Sequence, residues 1–195
     1  MLKEKLSKYK LILASGSPRR QQFFRDLDLD FEIRLKDVEE IFPAELTAGE
    51  ITDYLAKLKA SAFEGDLKPG EILITSDTIV WFEDKALGKP TDRQNAIDML
   101  SQLSGKTHTV LTSVCFQTQT GSEVIRESTD VTFNELSLQE IEFYVDRYQP
   151  FDKAGSYGIQ EWIGLIAVAR IEGSYANVIG LPVDKVYQYL NNLPC

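Results

Sequence analysis

A chain of 195 residues, 43% hydrophobic and 26% charged, can bury a sizeable core and fits one globular domain, taken here as residues 1–195. Its formal charge of −9 argues against broad binding of nucleic-acid polymers or acidic membranes, which needs a net basic surface. No apolar run reaches the about 18 residues that span a bilayer, and the first twenty residues are too polar for a signal-peptide core. Cys115 lies in an apolar strand pattern and Cys195 is the last residue, which argues against a structural disulfide, so the expectation is a cytoplasmic, reduced protein.

Residues 1–10 read as a short polar helix or a loose lead-in. Leu11–Ser15 follows as a short strand. Pro18 sits well at the first turn of the next helix, expected to reach about Leu27 with Phe23, Phe24 and Leu27 on one face. Phe31–Leu35 alternates like a strand, and an acidic loop with Asp37, Glu39 and Glu40 follows. Thr47-Ala48-Gly49-Glu50 has the spacing of a capping box and opens a helix to about Phe63. After the Lys68-Pro69-Gly70 turn, Glu71–Phe82 is near-continuously apolar and reads as a buried central strand, broken only by Ser76-Asp77-Thr78.

Thr91–Leu103 is expected as a helix closed by Gly105, and Thr107–Gln119 with Glu123–Leu136 as a hairpin turning at Thr120-Gly121-Ser122. Ser137-Leu138-Gln139-Glu140 is a second capping box, opening a helix to about Tyr148. Residues 151–162 read as a loop, Ile163–Ile171 as a strand and Val183–Leu190 as a closing helix. Strands alternating with helices, then a hairpin, predict a mixed α/β sheet with helices packed against it.

Several polar stretches sit where chemistry would use them. Ser15-Gly16-Ser17-Pro18-Arg19-Arg20 joins a strand to a helix N-terminus, where unpaired N–H groups favour anions and the hydroxyls and guanidiniums suit phosphate oxygens. Alone, that turn is as compatible with a plain strand-to-helix join as with a phosphate cradle. The first twenty residues carry Lys3, Lys5, Lys8, Lys10, Arg19 and Arg20 against Glu4 alone, which suits a small polyanion better than a long one. Asp77, inside an apolar strand, must be hydrogen-bonded, paired with a lysine, bound to a metal, or placed at a strand end lining a cleft. Lys59, late in a helix, Lys89 in Leu87-Gly88-Lys89-Pro90, and the Glu39-Glu40 pair read alone as surface charges. Asp152–Gln160 holds two glycines beside a lysine, a tyrosine and a glutamine, a loop able to approach a ligand closely, and Gln160 offers the donors and acceptor that base-edge recognition needs. His108, the single histidine, reads as a half-buried structural residue, and no Walker A loop or G-x-S-x-G elbow is present.

These stretches, with Val38-Glu39-Glu40, Lys59-Ala60, Leu103-Ser104-Gly105 and Gly180-Leu181-Pro182, together resemble the Maf family of nucleotide pyrophosphatases, in the family's order from residue 11 almost to the C-terminus. The resemblance implies a Maf/inosine-triphosphatase-like α/β fold, a mixed sheet with flanking helices in two lobes around a central cleft. It further implies hydrolysis of a nucleoside triphosphate to the monophosphate and pyrophosphate with a divalent cation, Mg²⁺ or Mn²⁺, and is compatible with a homodimer. Arg19, Thr78 and Gln160 resemble the branch acting on dTTP and UTP. Where that branch often runs on into glycine-rich sequence after the glutamine, this chain has Glu161-Trp162-Ile163-Gly164.

On that resemblance Ser15, Arg19, Arg20, Lys59 and Lys89 hold the triphosphate, with Arg20 serving the phosphates and Arg19 helping to choose the nucleotide. Asp77 accepts a proton or, with Glu40, holds the metal, while Thr78 and Gln160 face the base. The rival readings are a nucleotide-binding regulatory module of septum formation without useful catalysis, and a phosphatase removing only the terminal phosphate.

Overall fold

The computed structural model describes residues 2–194. Its helices are α1 (Leu2–Lys5), α2 (Pro18–Asp26), α3 (Gly49–Ser61), α4 (Arg93–Leu103), α5 (Leu138–Tyr148), α6 (Trp162–Ala167), α7 (Tyr175–Ile179) and α8 (Val183–Asn192). Its strands are β1 (Lys10–Leu13), β2 (Phe31–Ile33), β3 (Glu71–Phe82), β4 (Lys85–Leu87), β5 (Thr107–Gln117), β6 (Ser122–Phe133) and β7 (Val168–Glu172). They form one seven-stranded mixed sheet in the order β2-β1-β3-β5-β6-β7, with β4 paired to β3. β1 lies parallel to both β2 and β3, whereas β4 and β7 run antiparallel to their neighbours.

The chain divides into two compact units, Met1–Asp77 with Thr112–Glu127 and Gly180–Cys195, and Thr78–Leu111 with Ser128–Ile179. In the first unit, period-two alternation sends β1 and β3 side chains to opposite faces. Leu11, Leu13, Ile72 and Ile74 pack with Phe24 of α2 and Leu181, Val186 and Leu190. Ile12 and Leu73 pack instead with Ala56, Ala60 and Phe63 of and after α3. The helices after β1 and β2 therefore cover opposite faces, and the chain parts at the C-terminal end of β1. β1 last pairs at Leu13 with Ile74, and Ala14 N–H donates to the Ile74 carbonyl (2.9 Å). Asp77 thus stands three residues beyond the point where β3 loses its neighbour, the place where open parallel sheets bind ligands.

The core of the second unit gathers Val80, Leu100, Val110, Phe133, Tyr144, Tyr157 and Ile163. His108 lies inside it at 2% exposure, more buried than its alternating strand suggested. Its Nε2 meets the Tyr157 hydroxyl at 2.7 Å, and its ring packs edge-on to Phe133 and Tyr157. Burial holds the imidazole neutral down to about pH 4, against 6.5 for an ordinary histidine, with Asp130 a small opposing influence. Between those values the unfolded chain binds a proton that the folded one refuses. Folding stability should therefore fall as pH drops through that window, by about 3 kcal/mol for this group, and level off below it. Denaturant unfolding of His108→Gln from pH 7 to 4 should show a flatter stability profile than the parent chain.

Elsewhere the elements follow local chemistry. α5 begins with a complete capping box, the Ser137 hydroxyl accepting from Glu140 N–H while the Glu140 carboxylate takes the Ser137 N–H. At α3 only the return half forms: Glu50 accepts from Thr47 N–H and hydroxyl, but the N-cap is Ala48, at φ 45°. The expected strand over Ile163–Ile171 is helix α6 followed by β7. Ile163 and Ala167, four apart, are buried while Leu165 between them is 83% exposed, a helical rather than alternating pattern. The loop at 151–162 contains a 3₁₀ turn at Ala154–Ser156. Glu83 and Asp84, both at positive φ, make the two-residue turn from β3 to β4.

Candidate active site

The first unit brings Ser15, Arg19, Arg20, Glu40, Lys59 and Asp77 into its own fold. The β1–α2 turn is built by its hydroxyls. Ser15, 6% exposed, accepts from Ser17 N–H at 3.3 Å, and Ser17 caps α2 by accepting from Arg20 N–H. Pro18 takes the first helical position, where its missing N–H costs nothing. Two of the turn amides, those of Ser17 and Arg20, are thus held by the turn's own hydroxyls, and Arg19, half-buried, stands at the helix start.

Arg20 turns inward. Its Nε donates to the Gly180 carbonyl (2.8 Å) and a terminal nitrogen to the Ser76 carbonyl (3.0 Å), pinning the guanidinium midway along β3, just beyond the end of β1. Burial works against its charge, and the carboxylates of Asp77 and Glu40 support it against Arg19. The Gly180-Leu181-Pro182 stretch, which carried no role in the sequence, is what Arg20 rests on.

Asp77, 6% exposed, projects to the α3 face of β3 with Thr75, whose hydroxyl donates to the Ala56 carbonyl (2.6 Å). There its carboxylate receives Lys59 Nζ at 2.6 Å. The same ammonium reaches Glu40 Oε1 at 3.0 Å, so Lys59 stands between two carboxylates rather than on the surface. Its neighbour Glu39 makes no such pair with Lys59 among the described residues. Ser76 Oγ, on the opposite face, is buried with no hydrogen-bond partner among the described residues.

The basic run at the N-terminus is spent elsewhere. Lys3 pairs with Asp28 and Asp30, and Lys10 with Glu32 and Glu71; hydrogen bonds from Arg34 first and Lys10 second hold Glu32 down to about 2.

The second unit carries Thr78, Lys89 and Gln160. Thr78, half-buried, follows Asp77 on β3. Lys89 is exposed in a loop tied down by Gly155 N–H donating to the Gly88 carbonyl (3.0 Å). Gln160 is exposed, between the buried Ile159 and the half-buried Glu161. Sequence reasoning missed the partners of this loop. Lys153 is 8% exposed and pairs with Asp152 (2.7 Å) and Glu161 (3.2 Å), and Tyr144 hydrogen-bonds Glu161 as well.

Among the described residues no three His, Cys, Asp or Glu side chains converge as a metal cage. Two convergent carboxylates fit a cation such as Mg²⁺, which is characteristically held by one or two carboxylates plus substrate phosphates and water. No helix among the described residues is long and apolar enough to cross a membrane.

The chain matches the model of the Maf-like protein family over residues 10–193. It is 64% identical over 193 residues to a protein of Flavobacterium johnsoniae named dTTP/UTP pyrophosphatase, covering 99% of this chain and 100% of that one. It is 50% identical over 189 residues to the dTTP/UTP pyrophosphatase of Bacteroides thetaiotaomicron, covering 96% and 98%. The fold is similar to that of the Staphylococcus aureus Ham1 protein, with a TM-score of 0.54 at 15% identity over 93% of this chain and 98% of the other. With its strand-to-helix turn, its Lys59-bridged carboxylates and a family match over nearly its whole length, the chain belongs to the Maf-like family.

Proposed function

We propose that the chain hydrolyses dTTP and UTP to the corresponding monophosphate and pyrophosphate, by attack of water at the α-phosphorus. The carrying observation is the set on β3 just past the end of β1: Asp77 and Glu40 converging on Lys59, with Arg20 fixed alongside. The names and near-complete coverage of the similar proteins support the substrate class.

In this reading Ser15 and the α2 N-terminus receive phosphate oxygens, and Arg19, Arg20, Lys59 and Lys89 balance the charge of the departing pyrophosphate. That is where phosphoryl-type transfers gain most of their stabilisation. Water forms the new P–O bond, the bond from the α-phosphorus to the bridging oxygen breaks, and the water's proton passes toward Asp77. When bound, a divalent cation held by Glu40, Asp77 and the phosphates supplies Lewis-acid neutralisation of the anionic centre. Arg20 is already immobilised by two carbonyls, so little ordering is left to do on binding. Thr78 and Gln160 read the base. Residues 1–195 act as one catalytic domain, because the chain passes between its units inside β3, β5 and β6 and neither unit is a continuous segment. Composition and the reduced-type cysteine count support a cytoplasmic place of work.

A panel of nucleoside triphosphates with Mg²⁺ or Mn²⁺, resolved by product, tests this. The expected products are pyrophosphate and the monophosphate, fastest from dTTP and UTP. Diphosphate plus orthophosphate would identify a terminal phosphatase, and tight binding without turnover a regulatory module.

A further inference from the structure

Glu161 occupies an unusual position for a carboxylate. It is only half-buried, yet both its oxygens are engaged from within the second unit: Lys153 Nζ pairs with Oε1 at 3.2 Å, and the Tyr144 hydroxyl bonds Oε2. Lys153 and Tyr144 are themselves immobile. Lys153 is 8% exposed, and Tyr144, on α5, is fully buried in the core. Burial together with the adjacent Glu161 carboxylate pushes the Tyr144 phenol upward, so the hydroxyl stays protonated and donates.

The same hydroxyl accepts the Gly158 N–H at 3.0 Å. Glu161 N–H in turn donates to the Gly158 carbonyl (2.9 Å), closing a turn with Gln160 inside it. Gly158 leaves space that the two following polar side chains use. A Cβ there would lie 2.8 Å from Glu161 Cδ and 3.1 Å from Gln160 Nε2, so the two side chains fold back over the bare Cα. After the turn, Gly164 packs so tightly that a Cβ would meet the Ile159 carbonyl oxygen at 1.8 Å. Gln160 is thus the exposed residue of a turn held on both flanks, and its amide has no hydrogen-bond partner among the described residues. An amide left open on a turn whose backbone is already fixed is suited to a ligand, since less remains to be ordered on binding.

We infer that Glu161, locked by Lys153 and Tyr144, is a positioning residue that sets the orientation of the Gln160 amide and thereby the discrimination among nucleotide bases. This rests on the reading that Gln160 faces the base. The lock acts through the glutamine, so its loss should alter selectivity and KM while leaving kcat for the best substrate near its parent value. A merely structural contact would instead lower stability without changing the ratio between substrates.

The test is a double-mutant cycle on the full chain with Gln160→Ala, Glu161→Gln and the double variant, read as the ratio of kcat/KM for dTTP to that for dGTP. Thermal unfolding is recorded alongside. Gln160→Ala is expected to lower the ratio, and Glu161→Gln to lower it by about tenfold through a higher KM for dTTP, the scale of a weakened base contact. Adding Glu161→Gln to Gln160→Ala should change the ratio no further. Tyr144→Phe, which removes only the hydroxyl, gives the same readout should Glu161→Gln fold poorly. An unchanged ratio in Gln160→Ala overturns the base-reading role and the inference with it. A changed ratio in Gln160→Ala but not in Glu161→Gln or Tyr144→Phe, or fully additive effects, overturns the positioning role alone.

Discussion

Asp77→Asn is expected to lower turnover of dTTP by roughly two to four orders of magnitude, the range associated with losing a positioned proton acceptor, while leaving nucleotide binding largely in place. The substitution keeps the side chain's shape and its acceptor oxygen toward Lys59, so the middle of β3 and its contact with α3 should survive. What it removes is the charge: an amide neither accepts the water's proton at neutral pH nor draws a cation as a carboxylate does. Single-turnover rates with dTTP and a fluorescent-nucleotide titration separate the two effects. Near-parental turnover would remove Asp77 from the chemistry and leave it as the partner that neutralises Lys59.

Lys59→Met should produce a different pair of changes. Its ammonium stands 2.6 Å from Asp77 and 3.0 Å from Glu40, and removing it leaves two convergent carboxylates without the cation between them. Breaking such a pair from one side is costly because the remaining charge is uncompensated. A divalent cation offers the same compensation. The nucleotide-free variant should therefore bind Mn²⁺ at least about tenfold more tightly, the equivalent of 1.4 kcal/mol, as read by the loss of the free-ion paramagnetic resonance signal. Turnover should fall in the same variant, because the charge balancing the pyrophosphate is gone. Unchanged Mn²⁺ affinity together with unchanged turnover would reduce Lys59 to an ordinary helix-end lysine.

The parts of this site that were legible in the sequence are those whose signal is local. An aspartate interrupting an apolar run is visible wherever it occurs, because only partners or an opening can accommodate it, and Glu71–Phe82 forms β3 as its run of apolar residues suggests. Ser15–Arg20 announces a strand-to-helix turn through Pro18 and its flanking hydroxyls. Lys59 shows nothing comparable. A lysine in the last turn of a helix is normal, and its partners lie 18 residues ahead on β3 and in an irregular loop, so only the fold reveals the bridge. The pairing of Lys59 with Glu40 and not with Glu39 has the same origin.

The misread strand at Ile163–Ile171 has another cause. A short apolar segment supports either period, and burial of Ile163 and Ala167 on one helical face is a tertiary choice. The β3–β4 turn escaped notice because Glu83-Asp84 is not the Asn-Gly or Asp-Gly pair that positive φ at two successive residues usually selects. Lys153 was noticed as part of a ligand loop, but its burial against Glu161 depends on α5 contributing Tyr144, which no local pattern shows.

In the proposed reaction water attacks the α-phosphorus of a pyrimidine nucleoside triphosphate at a site organised by Asp77. Turnover of dTTP in ¹⁸O-labelled water, with both products analysed by mass spectrometry, tests it most directly. The label should appear in the monophosphate, with pyrophosphate unlabelled. Label in pyrophosphate would place the attack at the β-phosphorus, label in orthophosphate would place it at the γ-phosphorus, and either result contradicts the account.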